Sequence, residues 1–350
     1  MSGLPSPLLL VLFLASAGVI WYAGIRLSDS TDVLSERLHL GSALGGLILL
    51  AVATNLPEIA ITVSAAQAHR LDIAVGNVLG GIAIQTVVLV ALDAFGVRPR
   101  VPLTYLAASL VLVLEGALVV TVLAVVVMGT QLPGDLAYPR LDPAPLLIVV
   151  FWVVGLVLVD RAGKNLPWHE SGDAPDTQEE DRGHSKAKKE RRAPGTRRTS
   201  MVFGVAAVAT LVAGVVIERS GEELFGRLGM SGVIFGATVL AAATALPEIS
   251  TGLTSARMAD YQLAISDIFG GNAFLPVLFF AATLISGRQV LPAAHRSDIY
   301  LTALGMVLTV VYMAGLIFRP RRPRLRMGVD SQVVLVVYVV GVAGLFVIGH

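Results

Sequence analysis

Ten apolar runs, at approximately 7–25, 39–68, 72–95, 102–128, 143–160, 200–217, 230–256, 263–285, 297–318 and 331–349, dominate this sequence. Most approach the roughly 20 residues that carry an α-helix across a bilayer. An open strand edge cannot satisfy its backbone in lipid, so the runs are predicted to be helices. The composition agrees, with 55% hydrophobic and 15% charged residues among 350 and a mean hydropathy of +0.76. A water-soluble enzyme is excluded. The absence of cysteine removes disulfide frameworks, thiolate zinc sites and cysteine nucleophiles. A net charge of +1 points to no nucleic-acid partner. Ala15-Ser16-Ala17 looks like a signal-peptidase site, yet no Lys or Arg precedes Arg26, so the first run is expected to be a transmembrane helix.

Orientation follows from the positive-inside rule. With the N-terminus outside, the inside loops carry twenty Lys and Arg residues and the outside loops six. The inside set includes Arg26 and Arg37, taken as one loop, and Arg319 to Arg326 as another. Both termini are therefore expected outside and the 161–199 loop in the cytoplasm. That loop turns from acidic (SGDAPDTQEED) to basic (KAKKERR) and reads as a disordered linker. It divides the chain into a first membrane repeat, 1–160, and a second, 200–350.

At a constant offset of 190, residues 51–81 and 241–271 match at eleven of 31 positions without a gap. Five predicted crossings separate the copies. An odd number forces opposite insertion, so the fold class is all-α integral membrane, ten transmembrane helices as two inverted five-helix repeats. Secondary transporters use this architecture and place their site near the midplane.

Each copy carries T-x-L-P-E within an apolar span. Proline brings no N–H to the carbonyl four residues back, so Pro57 frees the carbonyl of Ala53, and Pro247 that of Ala243. Thr54 and Thr244 offer hydroxyl oxygens one turn before Glu58 and Glu248, whose charge sits where lipid is most hostile to it. These oxygens suit a hard cation such as Ca²⁺ or Na⁺. Nineteen residues beyond each Glu come Asn77 and Asp267 on the next helix, followed by the Gly pairs 80/81 and 270/271, which allow close helix approach. Straight helices would leave Glu58 about 18 Å, and Asn77 only about 10 Å, from the turn near Arg70. The 39–68 span is therefore expected to break at Pro57 and tilt.

Other polar positions carry weaker signals. Glu115 has no counterpart in the other half and reads equally as a proton or regulatory site and as a structural hydrogen bond; Asp72 reads as a helix cap. Gln85 and Thr86 are weak candidates, and Asn272 a supporting group. Trp21, Tyr22, Trp152 and Trp168 read as interfacial anchors. No His-Glu-x-x-His, phosphate loop or nucleophile beside a His is present, so no enzymatic activity is expected.

ATNLPE with GNVLGG, and ATALPE with SDIFGG, resemble the alpha repeats of the cation/Ca²⁺ exchanger superfamily, nearest its prokaryotic Na⁺/Ca²⁺ exchangers. The repeats fall at about 39–95 and 230–285. The resemblance implies a central diamond of cation sites at Glu58, Asn77, Glu248 and Asp267, with access alternating as the first and sixth helices slide past a rigid bundle. It implies a bacterial plasma-membrane antiporter that exchanges Ca²⁺ for Na⁺, with cations as substrates, the bilayer as surroundings, no cofactor and no obligate protein partner. Exchange of H⁺ for Ca²⁺ or Na⁺ at the same carboxylates is the first alternative, and a cation channel the second. Where the family usually has Ser before Leu-Pro-Glu, this chain has Asn55 and Ala245; where family hydroxyls are common, it has Ile73 and Leu263.

Overall fold

The computed structural model describes residues 1, 3–37, 44–97, 101–107, 109–132, 142–164, 196–230 and 235–348. Among them the chain is helical, with one isolated bridge between Arg324 and Met327 in place of any strand. The elements are α1 (Ser6–Arg37), α2 (Leu44–Thr54), α3 (Leu56–Gln67), α4 (Leu71–Phe95), α5 (Leu103–Ala107), α6 (Leu110–Thr130) and α7 (Pro143–Lys164). There follow α8 (Thr196–Arg227), a π-helical turn (Gly236–Leu240), α9 (Ala241–Thr244), α10 (Leu246–Arg257), α11 (Tyr261–Phe274), α12 (Leu278–Ser286), α13 (Arg296–Phe318) and α14 (Val329–Ile348).

Among the described residues, seven helices are long and apolar enough to cross a membrane, counting α11 and α12 as one through the 3₁₀ turn that joins them. The α2–α3 and α9–α10 pairs are each split by a kink into helices of 12 residues or fewer. In α14 the apolar stretch is the shorter Val329–Leu345. The spans 71–95 and 261–286 are 72% and 67% buried over their most apolar windows, against 33% for 6–27 and 28% for 197–227. The former pair therefore forms the centre, and α1 and α8 the periphery. Val150, Val153, Val154 and Val157 on α7, and Val336, Val339 and Val340 on α14, recur at helical spacing and are exposed, the pattern of lipid-facing stripes.

Element bounds repeat at the offset seen in the sequence. Adding 190 to the ends of α1 gives those of α8, and adding it to the ends of α3 gives those of α10. The correspondence extends to backbone detail. His69 (φ 57°) and Ala259 (φ 61°) both turn left-handed after these helices, and Arg70 N–H donates to Ala65 O as Asp260 N–H donates to Ser255 O, each at 2.9 Å.

Two boundaries correct the sequence expectation. The first helix runs to Arg37 rather than 25, and the sixth covers Thr196–Arg227 rather than 200–217. Residues 26–37 contain neither Pro nor Gly, and the Arg26 guanidinium folds back one turn onto the Tyr22 hydroxyl at 2.8 Å. Arg26 and Arg37, read as loop residues, are thus helical. Trp152 is not an exposed anchor: it is half-buried, its ring 5.7 Å from that of Phe274. Trp168 and most of the charged 161–199 linker lie outside the described residues.

Candidate cation site

The expected break comes two residues before the proline. Asn55 (φ −87°, ψ 16°) separates α2 from α3, and Ala245 (φ −78°, ψ 6°) separates α9 from α10. A proline ring clashes with the carbonyl four residues back and breaks the turn ahead of it, and Pro57 and Pro247 then sit in the first turn of the new helix, where a missing N–H costs nothing. Pro57 and Pro247 have no N–H to offer the carbonyls of Ala53 and Ala243. Glu58 and Glu248 are each the third residue of the new helix, and each carboxylate faces its own backbone N–H, where the helix start favours negative charge.

Both glutamates are fully buried, as are Thr54 and Thr244 to within 1%. The two copies interlock. Thr54 of the first lies toward Glu248 of the second, and Thr244 of the second toward Glu58 of the first. Each threonine spends its proton on a backbone carbonyl one turn back, Thr54 on Leu50 at 3.1 Å and Thr244 on Ala241 at 3.2 Å. Their lone pairs are left for the site. The Glu248 carboxylate feels the charges of both Glu58 and Asp267.

The predicted level mismatch between neighbouring helices is closed. Asn77 Nδ2 donates to the Glu58 backbone carbonyl at 3.3 Å and lies 3.4 Å from Thr62 Oγ1. In the second copy, Thr251 Oγ1 donates to Asp267 Oδ2 at 2.6 Å. Neither Glu58 oxygen meets a hydrogen-bond donor, and neither glutamate pairs with a described basic side chain. Among the described residues no three His, Asp or Glu side chains converge tightly enough to hold an ion by themselves. Carbonyl, hydroxyl and amide oxygens must therefore supply part of any coordination shell.

Some groups carry more of the site than their sequence signal suggested. Gln85 Nε2 donates to Asn55 Oδ1 at 3.0 Å and lies 3.4 Å from Glu248 Oε1, joining the two copies. At the next residue, Thr86 Oγ1 accepts from Asn272 Nδ2 at 2.9 Å. Gly271 is needed sterically, since a Cβ there would stand 2.8 Å from Asn55 Nδ2, whereas at Gly81 the nearest atom would be Leu275 at 3.7 Å. Thr62 and Thr251 follow their glutamates by four and three residues. The unequal spacing hid them from the repeat alignment.

A cavity of about 380 Å³ leads to Asn77 between α4, α8, the π-helical turn and α13. Asp72, Glu218, Glu222 and Asp298 give it acidic walls, with Arg70 and His295 among them. Asp72, expected to cap α4, makes no capping bond; Arg70 holds that position. A larger depression of about 480 Å³, lined by Met1, Arg70, Arg219, Glu222 and Glu223, is a surface feature away from both glutamates.

The sequence profile described as "Sodium/calcium exchanger protein" matches residues 8–163 and 199–347. The chain belongs to this family, within the cation/Ca²⁺ exchanger superfamily. Exchangers are integral membrane transporters rather than enzymes, and the ions they handle are transported substrates. Two curated relatives are each 26% identical. Inner membrane protein YrbG of Escherichia coli K12 aligns over 288 residues, 80% of this chain and 81% of its own. Putative antiporter CaxA of Alkalimonas amylolytica aligns over 296, 84% and 86%. The exchanger fold is also that of solved structures. The sodium-calcium exchanger NCX_Mj, soaked with 2.5 mM Na⁺ and 0.1 mM Sr²⁺, superposes with a TM-score of 0.61 at 14% identity, covering 97% of this chain and 99% of that one. The H⁺/Ca²⁺ exchanger CAX gives 0.67 at 11% identity, covering 97% and 86%.

Proposed function

We propose that this exchanger moves Ca²⁺ against Na⁺ through one alternately exposed site built from Glu58, Asn77, Glu248 and Asp267, with Thr54, Thr244 and the carbonyls of Ala53 and Ala243 as further oxygens. The observation that carries the reading is the pairing of two fully buried glutamates that face each other with no basic partner among the described residues. Such a pair is too costly to move empty, so one cation leaves only as others enter. That obligation is antiport.

Two inverted five-helix repeats supply the geometry in this reading. The shared offset of 190 and the reciprocal contacts of Thr54 and Thr244 support it. The weakly buried α1 and α8 are the moving pair. Each packs a glycine on the other half's proline: a Cβ on Gly24 would stand 2.9 Å from Pro247 Cα, and one on Gly214 3.1 Å from Pro57 Cα. The protein resides in a bacterial plasma membrane, with both termini outside and the 161–199 linker cytoplasmic.

One observation favours protons as counter-ion instead. Asn55 Oδ1 already accepts from Gln85, and Ala245 has no side-chain oxygen, so the positions where the family usually offers serine hydroxyls leave little for Na⁺. Purified protein in liposomes loaded with ⁴⁵Ca²⁺ decides. Release driven by external Na⁺ supports the first reading, release driven only by acid the second, and release into counter-ion-free buffer would show a channel.

A further inference from the structure

A second group of buried oxygens lies away from the glutamates, where the end of α4, the start of α5 and the start of α14 meet. Asp93, on α4, is about 12 Å along the helix from Gln85. Its Oδ1 accepts from Leu103 N–H at 2.7 Å, and its Oδ2 from Gly328 N–H at 2.6 Å and Ser331 Oγ at 2.7 Å. Ser331 has given its proton to Asp93, so the 3.2 Å contact between Tyr312 and Ser331 has the tyrosine as donor. Three of the roughly four lone-pair positions of Asp93 are used, and one remains.

Asp330 stands beside this network and takes no part in it. It is 7% exposed, and neither carboxylate oxygen has a hydrogen-bond partner or an ion pair. Its position is not slack. A Cβ on Gly315 would lie 2.9 Å from its Cγ, and one on Gly328 3.2 Å, so glycines on two sides cradle the carboxylate. The Thr104 hydroxyl, 1% exposed, faces Asp330 without closing a hydrogen bond and has no other partner. Gly328 donates to Asp93 and also abuts Asp330, which holds the two acids on either side of one residue. The nearby Arg319 and Arg321 guanidiniums lie over the Tyr105 ring at 5.7 and 5.8 Å, not on Asp330.

A buried carboxyl group with idle oxygens takes up either a proton or a cation, and the hydroxyls and second carboxylate gathered here suit a cation. We propose that Asp330, Asp93, Thr104 and Ser331 form a second divalent-cation site, separate from the glutamate pair, that ties α4 to α14. Two carboxylates match the charge of a divalent ion, the hydroxyls add hard oxygens, and water completes the six to eight ligands that Ca²⁺ takes.

The test counts ⁴⁵Ca²⁺ bound per full-length chain at equilibrium in detergent. The E58Q/E248Q protein should retain one saturable ion. Adding Asp330→Asn should remove it, and adding Thr104→Val, which breaks no hydrogen bond and so leaves folding intact, should weaken it about three- to ten-fold. The proposal is overturned if E58Q/E248Q binds no Ca²⁺, or if the bound ion survives both substitutions unchanged. Should Asp330→Asn fail to fold, Thr104→Val decides alone. Because the readout is the change caused by Asp330 and Thr104, it stands apart from the transport assays that test Glu58 and Glu248.

Discussion

Gly24 approaches Pro247 so closely that an added Cβ would stand 2.9 Å from the proline Cα, and 190 residues on, Gly214 makes the same approach to Pro57. Each peripheral helix thus rests on the kinked helix of the other half with no side chain between. If α1 and α8 slide during exchange, these glycines are the bearing surfaces. Gly24→Val should lower ⁴⁵Ca²⁺ exchange at least ten-fold through overpacking of about 1–3 kcal/mol. Equilibrium Ca²⁺ binding in detergent should change less than three-fold. A loss of binding equal to the loss of flux would place the defect in the site itself.

Gln85 is the amide that spans both copies, donating to Asn55 at 3.0 Å and lying 3.4 Å from Glu248. Gln85→Leu keeps the volume and removes the donor, leaving buried oxygens with one partner fewer. The expected cost is about 1–3 kcal/mol. Ca²⁺ affinity, measured by isothermal titration, should change by roughly ten-fold or more, and Gln85→Glu should alter the counter-ion requirement by adding a carboxyl group beside Glu248.

The sequence made the kinked helices legible because proline acts locally: a missing N–H and a ring that clashes with the carbonyl four residues back announce the break wherever the chain goes. It placed the break at Pro57, and the fold put it at Asn55, since the distortion falls on the turn before the ring. The duplication was readable from identity at one offset. The cross-contacts of Thr54 and Thr244 with the opposite glutamates were not, because no local pattern says which copy a hydroxyl will face. Gln85 was undervalued for the same reason: its partner in the other repeat position is Leu275, and its role exists only once Asn55 and Glu248 arrive from elsewhere. The length of α1 was missed because hydropathy marks where lipid ends, not where a helix does.

Glu115 is 5% exposed and accepts from Ser266 Oγ at 3.0 Å, a link between α6 and α11. This contact favours a structural role. Ser266→Ala should lower stability by about 1 kcal/mol, seen as a thermal shift of a few degrees, with exchange near wild type. Glu115→Gln retains an acceptor oxygen and should be milder than Glu115→Leu on both measures. A collapse of flux in Glu115→Gln with unchanged stability would instead make Glu115 part of the ion or proton path.

Glu248 is fully buried and close enough to Glu58 and Asp267 to feel both charges, and under the proposed function the transported ion balances its own. Glu248→Gln preserves shape and removes one negative charge. Taking one member from a buried, paired set of charges costs about 3–5 kcal/mol, which predicts at least a hundred-fold loss of Ca²⁺ affinity and no measurable ⁴⁵Ca²⁺ exchange in liposomes. Glu58→Gln should behave alike, because the two positions occupy one frame of the repeat and meet the same kind of threonine. The double variant should be no worse than either single, since each already leaves the divalent ion under-compensated. Normal turnover in either single variant would remove these glutamates from the transport path.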